Sequence, residues 1–337
     1  MRVDAYTHFI PARFFEKIVE SGPADIGKRV REIPCIHDLD ARRQVVDQFD
    51  DYAQILSYPM PPLASLAKGA EVEEYAKLIN DGFAEICEKY PDYFPGWVAE
   101  APLAAPDAGV RECQRAIQNG ALGVQIHTNI AGKPLDDPEF DPFFAAMNKL
   151  GKPIWLHPAR AANFPDYLSE KKSKYEIWWT LGWSYETTAA MARLVFSGIM
   201  DKYPNLKIIT HHFGGIAPML EGRIGPGWDQ LGARTSDEDL SLVLKRLKKH
   251  PIDYFKHSFY TDTAVFGGVP ATHAGLAFYD LDKIVFASDC PFDPEKGTMY
   301  TRETLRILDG IDMPKADKDK ILHGNLEAIT GVKFPAR

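Results

Sequence analysis

The chain has 337 residues, 45% of them apolar and 26% charged, the composition of an ordinary globular protein with enough length to bury a core unaided by disulfides. Its 39 basic side chains are outnumbered by 47 acidic ones, for a net charge of −8, which argues against a general binder of nucleic acid or anionic membrane because either needs a basic face. No apolar run is long enough to span a bilayer, and Met1-Arg2-Val3-Asp4 does not open a secretory signal.

The first apolar, β-branched run covers residues 2–9, and regular alternation puts Asp4, Tyr6 and His8 on one face. Residues 11–40 separate it from the first crossover helix as a long excursion. A second run at 54–58 is followed by a helix at 72–90, with Tyr75, Leu78, Ile79, Phe83 and Ile86 on one stripe. Runs at 94–100 and 122–128 flank a helix at 107–118, and a helix at 142–150 leads into the run at 153–157. An aromatic-rich excursion at 159–183 then precedes a helix at 186–201, with a polar cluster at 184–187 suited to capping it. The last runs lie at 206–212, 259–263 and 283–289, with a more helical excursion at 225–256.

Eight such runs alternating with helices are the number that closes a (β/α)8 barrel. The doubly wound alternative lacks a Gly-rich fingerprint after the first strand. With no internal repeat or linker, residues 1–337 are expected to form one domain, elaborated by insertions after strands 1, 5 and 6.

The active site of a barrel lies where its strands end. The closing residues here are Tyr6-Thr7-His8, His127, His157, His211-His212, Asp262 and Ser288-Asp289-Cys290-Pro291. One histidine in such a place is more often structural than functional. Six strand ends carrying His or Asp point instead to a divalent metal, because imidazole and carboxylate suit Zn²⁺ or Mn²⁺. Alternation turns His211 and His212 opposite ways, so one of them faces the mouth. Cys35, Cys87, Cys113 and Cys290 show no close pairing, which fits a reduced, cytoplasmic protein.

Residues 174–188 (KYEIWWTLGWSYETT), 201–215 (DKYPNLKIITHHFGG), 259–263 (FYTDT) and 288–292 (SDCPF), with Gly324-Asn325, form an ordered set of blocks. On these the chain resembles the amidohydrolase-related decarboxylases typified by 2-amino-3-carboxymuconate-6-semialdehyde decarboxylase, over nearly its whole length and least over 11–40. The resemblance implies a distorted (β/α)8 TIM barrel of the metal-dependent hydrolase type. It implies one divalent metal, zinc ahead of manganese, and no organic cofactor. The implied metal ligands are His8, His157 and Asp289.

The family's strand 1 motif is His-x-His, and its first histidine is Tyr6 here. A phenol is a poorer ligand than imidazole. Tyr6 is therefore a weak ligand, a hydrogen-bond donor to water or substrate, or the sign of an abandoned metal site. The family's His-x-Gly-Gly motif puts the general acid/base on His212, acting with Asp289, and leaves His211 as a packing neighbour. Arg223 matches an arginine that reaches a neighbouring subunit's site to pair with a substrate carboxylate. Trp179 matches a residue lying against a flat, unsaturated substrate. Strand 4 carries no lysine to bridge two metals, which favours a single ion, and its His127 is either a substrate contact or a structural residue.

The activity this implies is metal-dependent, non-oxidative decarboxylation of an aromatic or conjugated carboxylic acid, in a homodimer or dimer of dimers. Hydrolysis of a lactone, amide or activated C–C bond on the same barrel is the alternative. A catalytically inert binding protein is the third reading.

Overall fold

A computed structural model describes residues 1–21, 24–240, 242–335 and 337. Eight parallel strands follow one another around a single sheet: β1 (Arg2–His8), β2 (Tyr52–Ser57), β3 (Gly96–Glu100), β4 (Gly123–His127), β5 (Ile154–His157), β6 (Ile208–Thr210), β7 (Tyr260–Asp262) and β8 (Ile284–Val285). The Ala5 N–H donates to the Phe286 carbonyl and the His8 N–H to the Cys290 carbonyl, both at 2.8 Å, which joins the last strand segment to the first. All eight expected runs are strands, and the sheet is the barrel that their number implied.

Two layers of apolar side chains hold it. Val3, Ala5, Tyr6, Ile55, Val98, Trp155, Ile209 and Val285 fill the barrel interior, with Leu326, Ile329 and Phe334 from the C-terminal segment packed among them. The larger layer lies between strands and helices. There Tyr75, Ile79, Phe83 and Ile86 of helix Ala70–Lys89 are buried as their spacing predicts, and Leu78 is partly so.

Three local expectations need correcting. A register shift between Asp4 and Thr7 breaks the pleat of β1, so Asp4 does not share a face with Tyr6. Tyr6 packs inside the barrel with Val3 and Ala5, while the Asp4 carboxylate accepts from the Tyr52 hydroxyl and from Ser288. The polar residues at 184–187 lie inside a helix, Gly182–Phe196, and do not cap it; Thr187 donates back to the Trp183 carbonyl. Finally, the 225–256 excursion has only short turns before helix Pro251–His257.

Asp4 is fully buried, and burial raises its carboxyl from 3.8 to about 6 although Ser288 and Tyr52 hydrogen-bond to it. The folded chain therefore holds this proton more tightly than the unfolded one. The stability it contributes is fully present below about pH 4 and is lost as pH rises through about 6, a difference on the order of 3 kcal/mol. Asp4→Asn is expected to flatten that part of the profile. Urea unfolding at a series of pH values from about 4 to 7 measures it, and identical slopes for wild type and variant would contradict the assignment.

No helix among the described residues is long and apolar enough to cross a membrane. All four cysteines are free thiols.

Candidate active site

Three histidines at the strand ends are each oriented by the nitrogen they turn away from the centre. His8, closing β1, has Nδ1 3.2 Å from the Tyr58 carbonyl and 3.0 Å from Ser57 Oγ. His157, closing β5, has Nδ1 2.7 Å from the Pro158 carbonyl. His211, just beyond β6, has Nδ1 2.6 Å from Asp262 Oδ2 at the end of β7. Carbonyls and carboxylates only accept, so Nδ1 carries a proton in each ring and Nε2 is turned inward. Burial alone would lower His211, but Asp262 and Asp289 raise it to about 9.

Three Nε2 atoms converge on Asp289. His8 Nε2 lies 2.9 Å and His211 Nε2 3.4 Å from Asp289 Oδ1, and His212 Nε2 lies 3.6 Å from Oδ2. Ligand atoms of His8, His157 and His211 fall within 4.8 Å of one another, as do those of His211, His212 and Asp289. The Nε2 atoms of His8, His211 and His212 are buried without a hydrogen-bond partner. Unpartnered buried nitrogens facing a carboxylate, with His8 and His211 each fixed from behind by an acceptor, are the donor arrangement a divalent cation satisfies. The residues fit the ion that the family implies.

The β6 end overturns an expectation. Strand alternation was to turn His211 away from the mouth, yet both rings sit against Asp289 and stack on each other at 3.6 Å. The ladder stops at Thr210 because the Asp262 carboxylate takes the His212 N–H at 2.9 Å. The backbone then runs left-handed from His212 (φ 59°) through Gly215 (φ 71°). The last two must be glycine, since a Cβ on Gly214 would stand 2.0 Å from the Tyr279 hydroxyl and one on Gly215 2.0 Å from the Ser184 carbonyl. That turn folds His212 back over His211. His211 is fully buried, whereas the His212 side chain keeps 10% exposure on the mouth side.

Tyr6 lies beneath this cluster, its ring centroid 4.5 Å from that of His211 in an edge-on arrangement. Its hydroxyl donates to Gln125 Oε1 at 2.7 Å, and the Gln125 amide is held in turn by Glu100 and the Tyr58 carbonyl. Burial raises the phenol well above its ordinary range, and the neighbouring Asp262, Glu100 and Asp289 add to the effect. Burial also raises Glu100 and lowers His127, the latter to about 3. His212 is lowered by burial and by its neighbour His211. Burial alone would raise the Asp289 carboxyl, but His211, His212 and His8 hold it well below the usual carboxylate range.

Aromatic rings line the mouth. Trp183 packs 5.6 Å from His157, Phe292 5.6 Å from His8, and Phe266 5.3 Å from His212, with Tyr300 stacked on Phe266. Trp179 stands one ring further out, 6.3 Å from Trp183, its indole N–H bound to Glu176. Sequence reading singled out Trp179 from the tryptophan cluster, and Trp183 is the member that reaches a histidine. Arg223 is exposed and makes no hydrogen bond or ion pair among the described residues. His127 contacts the His157 ring and has Nδ1 3.8 Å from Glu100.

Arg42 is a buried residue that sequence reading passed over. Its guanidinium donates to the His8 carbonyl and to Cys290 Sγ, tying the ends of β1 and the β8 segment together beside the site.

A parallel barrel that gathers four histidines and an aspartate at its C-terminal strand ends is built as metal-dependent barrel enzymes are. The chain belongs to the amidohydrolase family, whose model matches residues 3–329. It is similar to a 2-amino-3-carboxymuconate-6-semialdehyde decarboxylase of Dictyostelium discoideum, 29% identical over 98% of this chain and 92% of that one. A gamma-resorcylate decarboxylase of Rhodococcus jostii is also 29% identical, over 88% and 87% of the two chains. Among solved structures, a 5-carboxyvanillate decarboxylase of Novosphingobium aromaticivorans with bound manganese and 3-methoxy-4-hydroxy-5-nitrobenzoic acid superposes with a TM-score of 0.79. It is 25% identical, and the match covers 98% of this chain and 97% of that one.

Proposed function

We propose that this chain is a metal-dependent carboxy-lyase that decarboxylates an aromatic or conjugated unsaturated carboxylic acid without an organic cofactor. The observation that carries the reading is His212 placed beside Asp289 under a mouth walled by Trp183, Phe292 and Phe266. Such a mouth suits a flat ring, and an imidazole at its floor is placed to move a proton.

His8, His157 and Asp289 would hold the cation, and a nitrogen-rich donor set favours zinc over manganese. When bound, the ion supplies positive charge that fixes and neutralises the substrate carboxylate. The aromatic walls orient the ring and exclude water, which strengthens every charge interaction inside. His212 then delivers its proton to the carbon bearing the carboxylate. The C–C bond to that group breaks, its electron pair restores the conjugated system, and carbon dioxide leaves. His212 regains its proton from solvent, so the reaction consumes one proton and needs no oxidant.

Incubating the zinc- or manganese-loaded protein with a panel of hydroxylated benzoates and unsaturated diacids tests this. Carbon dioxide matched by proton uptake is expected. Acid production without carbon dioxide would identify a hydrolase instead.

We also assign Arg223 to a partner subunit's site in a homodimer. Met219, close to Arg223 in sequence, is exposed, as are Tyr167, Leu168 and Tyr175 of the excursion after β5, apolar side chains of the kind a second copy would cover. Mixing Arg223→Ala with His212→Ala protein is expected to regenerate activity, because one site of the mixed dimer keeps both residues. Verified mixed dimers without rescue, or a fully active monomer, would overturn the shared site. The cytoplasm is the compartment we assign, from the free thiols, and we read residues 1–337 as one domain.

A further inference from the structure

We propose that His211 is a direct ligand of the divalent cation and replaces the strand 1 ligand lost at Tyr6. The inference rests on the reading of this cluster as a metal centre. It moves one coordination position from β1 to the end of β6.

Three observations lead there. The Tyr6 hydroxyl is already committed, donating at 2.7 Å to Gln125, whose amide is anchored to Glu100 and the Tyr58 carbonyl. That chain of bonds draws the phenol toward β3 and β4, and its ring instead packs edge-on against the His211 imidazole, centroids 4.5 Å apart. Next, His211 belongs to both ligand groups, the one with His8 and His157 and the one with His212 and Asp289. It is the one member common to both groups. Lastly, its Nδ1 is taken by Asp262 at 2.6 Å while its fully buried Nε2 has no hydrogen-bond partner. A carboxylate behind an imidazole fixes the tautomer and ring orientation of a metal ligand and raises its basicity.

A purely structural His211 does not explain the free nitrogen. Asp262 alone would hold the ring, yet Nε2 is also aimed into the cluster, 3.4 Å from Asp289 Oδ1 and grouped with the ligand nitrogens of His8 and His157, where a cation would engage them together. His212 is a poorer candidate for the same position. It is partly exposed on the mouth side and does not group with His8 and His157.

Counting imidazole nitrogens tests this directly. Pulsed EPR on manganese-loaded protein, with and without ¹⁵N-histidine, is expected to detect three coordinated imidazoles in wild type and in His212→Asn. Two in either protein would overturn the proposal. His211→Asn should reduce the count to two and weaken Mn²⁺ binding in equilibrium dialysis by more than about 100-fold, beyond the roughly 10–100-fold typical of losing an outer-sphere partner. Tyr6→Phe should leave both count and affinity unchanged. Wild-type affinity in His211→Asn, or a comparable loss in Tyr6→Phe, would return the position to strand 1. If His211→Asn does not fold, as circular dichroism reports, the wild-type and His212→Asn counts still decide. His157→Ala separates this question from the underlying one. If that variant binds manganese as wild type does, the metal centre itself is misassigned; if it loses the ion while His211→Asn keeps it, only the role of His211 fails.

Discussion

Asp289→Ala is expected to lose the cation and turnover together, with activity falling more than about 10³-fold, while the barrel stays folded. A bound cation contributes several kcal/mol of charge stabilisation, and each 1.4 kcal/mol is about tenfold in rate. The carboxylate stands within 3.6 Å of His8, His211 and His212 and pairs with nothing else among the described residues. Removing it takes an anion from the centre but no hydrogen bond from the strands. Its backbone N–H, which reaches toward the Tyr6 carbonyl, survives any substitution. The residue sits at φ 65°, where Ala is strained by about 1–2 kcal/mol and Asn is comfortable. Asp289→Asn is therefore the cleaner variant. It should keep the wild-type melting temperature more closely and still bind the ion far less tightly. Elemental analysis beside circular dichroism checks both. One equivalent of tightly held metal in either variant would remove Asp289 from the ligand set.

The barrel was legible because parallel strands buried on both faces read as nearly continuous apolar runs. What could not be read was where those strands stop. Asp262 takes the His212 N–H, Thr263 takes the Ala287 N–H and Asp4 takes the Ser288 N–H, so the ladders of β6 and β8 end residues earlier than the apolar pattern does. A side chain arriving from another strand leaves no trace in the local sequence. The misplacement of His211 followed directly, since alternation applies only while the chain is a strand.

Tyr6 is a related case. The shift in β1 leaves its inward direction intact but moves Asp4 to the other side. No periodicity argument anticipates that.

The metal-site residues were more legible than the mouth. Histidines and aspartates at strand ends stand out against apolar runs, so His8, His127, His157, His211, His212, Asp262 and Asp289 were all visible there, and the family resemblance singled out His8, His157, His212 and Asp289 among them. Trp183 and Trp179 differ only in which lies nearer His157, a matter of how an excursion folds over the barrel. Arg42 was hidden for another reason. Flanked by Asp40 and Arg43 on helix Leu39–Val46, it reads as a solvated helix residue, and only the closed barrel shows its guanidinium buried beside Cys290.

His212→Asn is expected to keep the metal and lose turnover by about 10²–10⁴-fold, the usual contribution of a positioned acid or base. Asparagine suits this position for two reasons. At φ 59° it tolerates the left-handed backbone, and the Asp262 bond to the residue 212 N–H does not depend on the side chain. The turn that Gly214 and Gly215 permit should therefore persist, and with it the placement of His211 beneath. What disappears is a side chain able to take up a proton and pass it to the substrate. In heavy water the wild-type product should carry deuterium at the carbon that lost the carboxylate. The variant's residual product should carry it too, delivered slowly by solvent. A pre-steady-state comparison then shows whether chemistry has become the slow step, as loss of the proton donor requires. Turnover within about threefold of wild type, in a variant that still binds one metal ion, would move the proton to another group. His127, in contact with the His157 ring, would be the next residue to substitute.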